Sequence, residues 1–219
     1  MTRNTTTIEH HLTPALLMAY SAGALPEAFS LVAATHISMC DHCRAELETY
    51  DTVGGAILDT VESDTETPDF AKTMARIARA DAARNAPPTR LADDVLPAPL
   101  ASYVGGSLDN VKWRKVGGGV KQAILSTDRD ASARLLYIPA GTAVPDHGHR
   151  GIELTLVLQG AFRDEDGRFA RGDLEVADES VDHTPVADEG EDCICLAATD
   201  APLRFSGMLP RLAQPFFQI

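Results

Sequence analysis

The sequence predicts an α+β protein in two parts, an all-α helical bundle followed by an all-β barrel, and three observations carry that expectation. Apolar residues recur at helical spacing from Leu12 to about Ala83, then give way to short Val-, Leu- and Ile-rich runs separated by turns. A stretch rich in proline, alanine and charge lies between the two patterns. All seven histidines fall into two groups, one in each part, and each group contains other residue types that bind metal ions.

In the helical part, Thr13-Pro14 is a start signal, with threonine as cap and proline in the first turn. Leu16, Leu17 and Tyr20 form its apolar stripe, and Gly23 ends it. Pro26 opens a second helix through Phe29, Leu31, Val32 and Ile37. A third runs from about Arg44 through Leu47, Tyr50, Ile57 and Leu58, weakened by Gly54-Gly55. Phe70, Met74, Ile77 and Ala78 give a fourth, amphipathic segment with Lys72, Arg76 and Arg79 on its other faces. Packing against its own bundle is the commoner fate of such a stripe, and docking on a partner the sharper one.

Ala86-Pro87-Pro88 and Pro97-Ala98-Pro99 mark the linker, which divides the chain into residues 1–85, a linker over 86–99, and residues 100–219. Beyond it, Leu135 to Ile138, Leu154 to Leu158 and Cys193 to Ala197 read as strands. The turns fall at Ala140-Gly141, Asp166-Gly167 and Arg171-Gly172, and strands this short and numerous argue for a sandwich or barrel. Because the linker is polar and proline-rich, each part is expected to fold on its own core.

The 219 residues carry a net charge of −13, roughly −7 before Leu96 and −6 after it, with no lysine- or arginine-rich run. That disfavours direct, phosphate-driven nucleic-acid binding and is compatible with a basic protein partner. Met1 to His11 lacks the apolar core of a signal peptide, and no stretch of about eighteen apolar residues exists, so no membrane is expected and a cytoplasmic location is. The cysteines come as Cys40-x2-Cys43 and Cys193-x-Cys195, a pattern that points to metal or redox chemistry more than to a disulfide framework.

His36 and Cys40 lie one helical turn apart on one face, and a turn over Cys40-Asp41-His42-Cys43 brings the second sulfur back to the same point. Tetrahedral zinc wants a fourth ligand, which His10 or His11 supplies if the amino-terminal segment folds back; such a closed site is structural. The blander alternative, a surface histidine beside two core cysteines, is the weaker reading of this spacing. The pattern resembles the zinc-binding anti-sigma domain, with its His-x3-Cys-x2-Cys motif and an upstream histidine. The resemblance implies the ligand set His11, His36, Cys40 and Cys43, with His10 as substitute for His11. It also implies as partner an extracytoplasmic-function sigma factor, whose polymerase-binding surfaces the domain hides.

His147, His149 and Glu153 share parity and would project from one face of an extended strand, with His183 completing the set from across a barrel. Three imidazoles and a carboxylate can hold zinc, manganese, nickel or iron. The run Gly141-x5-His147-x-His149-x3-Glu153-x6-Gly160 is similar, residue for residue, to the first cupin motif. Gly172 to His183 resembles the second, without its Pro-x-Gly turn or the asparagine after its histidine. The resemblance implies a jelly-roll barrel and the metal ligands His147, His149, Glu153 and His183. Cys193 and Cys195 share a strand face near that site; they offer a redox pair or a metal contact, though two small core residues is the commoner reading.

An anti-sigma domain followed by a cupin resembles the ChrR family. Pro145-Asp146-His147-Gly148-His149-Arg150-Gly151 and Cys193-Ile194-Cys195-Leu196 look especially like it, and the likeness reaches the Pro215-Phe216-Phe217 end. It implies a non-enzymatic, cytoplasmic, zinc-dependent anti-sigma factor in one-to-one complex with its sigma factor. The cupin, with zinc or another divalent transition metal, would sense singlet oxygen or related oxidants and trigger release. Two other classes remain on the residues alone: a dioxygenase-like cupin metalloenzyme regulated by the helical zinc domain, and a metal-buffering scaffold without a sigma partner.

Overall fold

The structure, a computed structural model, describes residues 7–62, 69–84, 95–205 and 207. Four helices occupy the first part: α1 (Pro14–Ser21), α2 (Glu27–Met39), α3 (Asp41–Leu58) and α4 (Phe70–Arg84). Thr13 caps α1 as expected, its side chain accepting from the Leu16 amide at 3.3 Å. α3 begins three residues before Arg44, because Cys40 is its N-cap and takes a weak hydrogen bond from the Cys43 amide at 3.5 Å. Gly54-Gly55 lies inside α3 without ending it.

The carboxy-terminal end of the stretch read as linker is structured. Residues 85–94 lie outside the described residues, but Leu96 is buried and Ala98–Val104 form α5, which ends at Gly105 with φ +80°. A short 3-10 turn over Leu108–Asn110 leads into the strands.

Twelve strands follow: β1 (Arg114–Gly117), β2 (Val120–Ile124), β3 (Ser132–Ile138), β4 (His147–Gly148), β5 (Glu153–Gln159), β6 (Ala161–Arg163), β7 (Arg168–Ala170), β8 (Leu174–Ala177), β9 (Asp182–His183), β10 (Val186–Ala187), β11 (Cys193–Thr199) and β12 (Arg204–Phe205). They form an antiparallel sheet in the order β1-β2-β3-β11-β5-β8 and two three-stranded sheets, β10-β6-β7 and β12-β4-β9. Together they surround a largely apolar cavity of about 560 Å³.

The large sheet is covered on both faces. Toward the cavity side, Ile138, Val157, Cys193 and Cys195 join Phe162 and Phe169 in one apolar cluster. On the other face, a row of leucines in register across four strands, Leu135, Leu196, Leu156 and Leu174, packs with Leu17, Leu31, Val32 and Leu100 of the helices. Double-sided burial is why β5 and β11 read as continuous apolar runs rather than alternating ones. It also overturns the expectation of two independent cores: α2 lies on β11 and β5, and one apolar cluster spans both parts. A polar bolt adds to this contact: Glu27 at the start of α2 accepts from Tyr103 of α5 at 2.8 Å and from the Asp128 amide at 2.7 Å.

α4 differs from the other helices. Phe70, Met74 and Ile77, its apolar stripe, are exposed, as are Val53, Ile57 and Leu58 on α3. The structure therefore leaves uncovered the face for which packing within the bundle was the commoner expectation.

Candidate metal centres

The first centre lies where α1, α2 and α3 meet. His36 in the last turn of α2, Cys40 between the helices, Cys43 in the first turn of α3 and His11 just before α1 bring one ligand atom each within 4.8 Å of one another. His36 Nε2 is 3.2 Å from Cys43 Sγ, and His11 Nδ1 is 3.3 Å from Cys40 Sγ and 3.8 Å from Cys43 Sγ. With metal–sulfur bonds of about 2.3 Å and metal–nitrogen bonds of about 2.0 Å, a tetrahedral ion needs edges of roughly 3.3–3.8 Å, and these three distances lie in or close to that range. Of the paired histidines, His11 joins this group; His10 turns away, its ring tilted against Phe169 with centroids 4.4 Å apart and approaching Asp173 at 3.6 Å.

Burial makes this donor set ill at ease without a cation. It lowers His36 to about 4, so the imidazole is a neutral donor at ordinary pH. It pushes the Cys43 thiol up to about 12, so a thiolate there needs a positive charge beside it. Metal uptake must release thiol protons, and acidification must weaken binding.

The second centre sits on the cavity wall. The Nε2 atom of His183 is 3.3 Å from those of His147 and His149, a spacing that fits nitrogen donors around one ion. Strand parity is not what assembles it. β4 is only two residues long, His149 lies in the turn after it, and His147 is paired directly with His183 on neighbouring β9 instead of facing it across the barrel. Glu153, at the start of β5, lines the same cavity but stands outside the three-histidine group, its Oε2 4.0 Å from His149 Nδ1.

Outer partners orient these rings. His147 Nδ1 donates to the Pro145 carbonyl at 2.8 Å and His183 Nδ1 to Asp164 at 2.8 Å, which turns both Nε2 atoms toward the common point. Glu175 Oε1 lies 3.1 Å from the same His183 nitrogen. Burial raises Glu175 to about 7, while the two carboxylates overcome the burial of His183 and lift it to about 9, so a cation at Nε2 would have to displace a proton. Sequence reading missed Asp164 and Glu175 as partners of His183, since Asp164 belongs to no motif and Glu175, though inside the Gly172 to His183 stretch, meets His183 only through the fold. Cys193 and Cys195 are both buried on β11 with sulfurs 3.5 Å apart, and Cys195 is pushed well above the usual thiol range by its partner and by burial.

The family profile of the ChrR cupin-like domain matches residues 103–202. The anti-sigma-E factor ChrR of Cereibacter sphaeroides is 59% identical over 214 residues, covering 97% of this chain and 100% of that protein. A crystal structure of Rhodobacter sphaeroides SigE in complex with the anti-sigma ChrR superposes with a TM-score of 0.74 at 56% identity, covering 89% of this chain and 100% of that one.

Proposed function

Because the chain belongs to the ChrR family of anti-sigma factors, we propose that it holds an extracytoplasmic-function sigma factor of RNA polymerase inactive in a one-to-one complex. The observation that carries this reading is the uncovered apolar surface of the helical part, Phe70, Met74 and Ile77 on α4 with Val53, Ile57 and Leu58 on α3. Apolar side chains exposed along a helix face mark a candidate protein interface. Burying one such side chain contributes about 1.5–3 kcal/mol, so Met74→Asp with Ile77→Asp should weaken sigma binding by about a hundredfold or more. Calorimetric titration of the purified pair checks it; unchanged affinity would move the interface off α4.

The helical centre, His11, His36, Cys40 and Cys43, is proposed to hold structural zinc. The barrel centre would hold zinc or another divalent transition metal on His147, His149 and His183, with Glu153 on the same wall completing the set. Metal analysis should give about two ions per chain from this ligand count. His147→Ala should leave about one, still in the thiolate site; a single ion in the wild type contradicts the two-site arrangement.

The barrel is proposed as the sensor of oxidative stress, with singlet oxygen or peroxides as the signal, acting in the cytoplasm where the polymerase is. In support, no described helix is long and apolar enough to cross a membrane, and the barrel centre borders a cavity that small molecules can enter. A sigma-dependent reporter should stay repressed in His147→Ala and no longer respond to oxidant. Both cysteines of β11, Cys193 and Cys195, are buried, and Cys195 is pushed above the usual thiol range, which makes it a poor nucleophile, so serine at both positions should keep the response at a modest cost in stability, and a blunted response would assign them the redox role.

The same cavity beside three histidines is what favours the second reading, a cupin metalloenzyme of dioxygenase type. Turnover of an organic substrate with oxygen would establish it, and absence of a co-purifying sigma factor would leave a metal-buffering scaffold.

A further inference from the structure

The two centres are joined by four consecutive residues. Gly172 accepts a hydrogen bond from His36 Nδ1 at 2.9 Å, which fixes the tautomer that turns Nε2 toward Cys43. Asp173, 3% exposed, accepts from the Glu9 amide at 2.7 Å and the His10 amide at 3.0 Å through one oxygen, and from the Ala170 amide at 2.8 Å through the other. Leu174 donates its amide to the His10 carbonyl at 3.2 Å. These bonds clamp the amino-terminal segment and so place His11. Glu175 then reaches His183 on the opposite face of the same strand.

Gly172 has no room for a side chain. Its φ is +94°, and a Cβ there would stand 2.6 Å from Ile8 Cδ1, so the amino-terminal segment sits directly on this turn. The turn is also tied into the sheet, its amide donating to the Val157 carbonyl at 2.9 Å. The outer partner of one centre, Gly172, and that of the other, Glu175, are three residues apart in the chain.

We propose that residues Gly172 to Glu175 are a shared outer layer of both centres, with Asp173 a positioning residue, so that the state of the barrel histidines sets how firmly the helical centre keeps its metal. This rests on the reading that both centres bind metal and that the helical one supports sigma binding. It supplies the route by which a signal in the barrel loosens the inhibitor. Outer partners of metal ligands typically change affinity by about 10–100-fold, and both His36 and His11 depend on this turn.

The test uses the full chain loaded with cobalt(II), because thiolate-to-cobalt absorption reports only the helical centre. Competition with a chelator is followed at that band in the wild type, Asp173→Asn, Glu175→Gln and the double variant. Asp173→Asn keeps the shape of the side chain and is expected to speed cobalt loss by about tenfold or more. Glu175→Gln, whose side chain meets His183 and Asp164 of the barrel, is expected to speed loss at the helical band as well, with the double variant departing from the product of the single effects. Thermal melts under excess metal identify any variant that is simply unfolded, and for such a variant Asp173→Glu replaces the asparagine. A helical band indifferent to Glu175→Gln, or strictly multiplicative effects, overturns the coupling. Sigma binding is titrated separately, so a chain that shows the coupling but binds no sigma factor overturns the functional reading alone.

Discussion

Cys43→Ser is expected to empty the helical centre and to release the sigma factor without any oxidant. The helical centre lies at the junction of α1, α2 and α3, since His11 precedes the first helix, His36 lies in the last turn of the second and Cys43 in the first turn of the third. Binding of structural zinc is worth about 10–16 kcal/mol in small zinc domains at pH 7, against a total stability of about 5–15 kcal/mol for a typical domain. Serine at position 43 removes one of two charge-bearing ligands, so the remaining three cannot offset the ordering of the junction. Three readouts check it: one metal ion fewer per chain, loss of cooperative helical melting at low temperature, and a reporter fully active in unstressed cells. Full repression by Cys43→Ser would show that the metal is dispensable and that the helices hold the sigma factor by packing alone.

The sequence made the donors legible but not their surroundings. His36, Cys40 and Cys43 lie within two turns of chain, so their convergence follows from helical geometry, and the exposed stripe of Phe70, Met74 and Ile77 follows from the same periodicity. Which of His10 and His11 faces the cysteines did not, because His10 is held by Asp173 and Phe169, more than 150 residues away. Parity grouped the barrel histidines, but a two-residue strand and the segment after it, not an alternating strand, bring them together, and Glu153 stays outside their group. Gly172 was legible as a turn, but nothing local marks Asp164, Gly172, Asp173 and Glu175 as partners of the histidines, since those contacts come from other strands and from the helical part.

The same long-range packing decides what the barrel does for the helices. A polar, proline-bearing linker read as a divider, yet Leu96 and Leu100 are buried and α5 packs on α2. Leu196 is fully buried in the leucine row that the helices cover, and Leu135 and Leu156 flank it in register. Leu→Ala at such a position costs about 2–5 kcal/mol, and Leu196→Asp adds a buried carboxylate with no cation in the row to pair with. That variant should lower the melting of helices and barrel together and release the sigma factor, although it touches neither metal centre. His147→Ala, by contrast, should leave the sigma factor bound and the chain unresponsive to oxidant. The difference between the two separates the barrel as a platform from the barrel as a sensor. Intrinsic fluorescence of Trp113, which packs against the shared cluster, reports the barrel, far-ultraviolet dichroism reports the helices, and coincident transitions are expected in Leu196→Asp. If the helices instead melted independently, with the sigma factor still held, the shared core would be a contact without energetic weight, and the platform role would be lost.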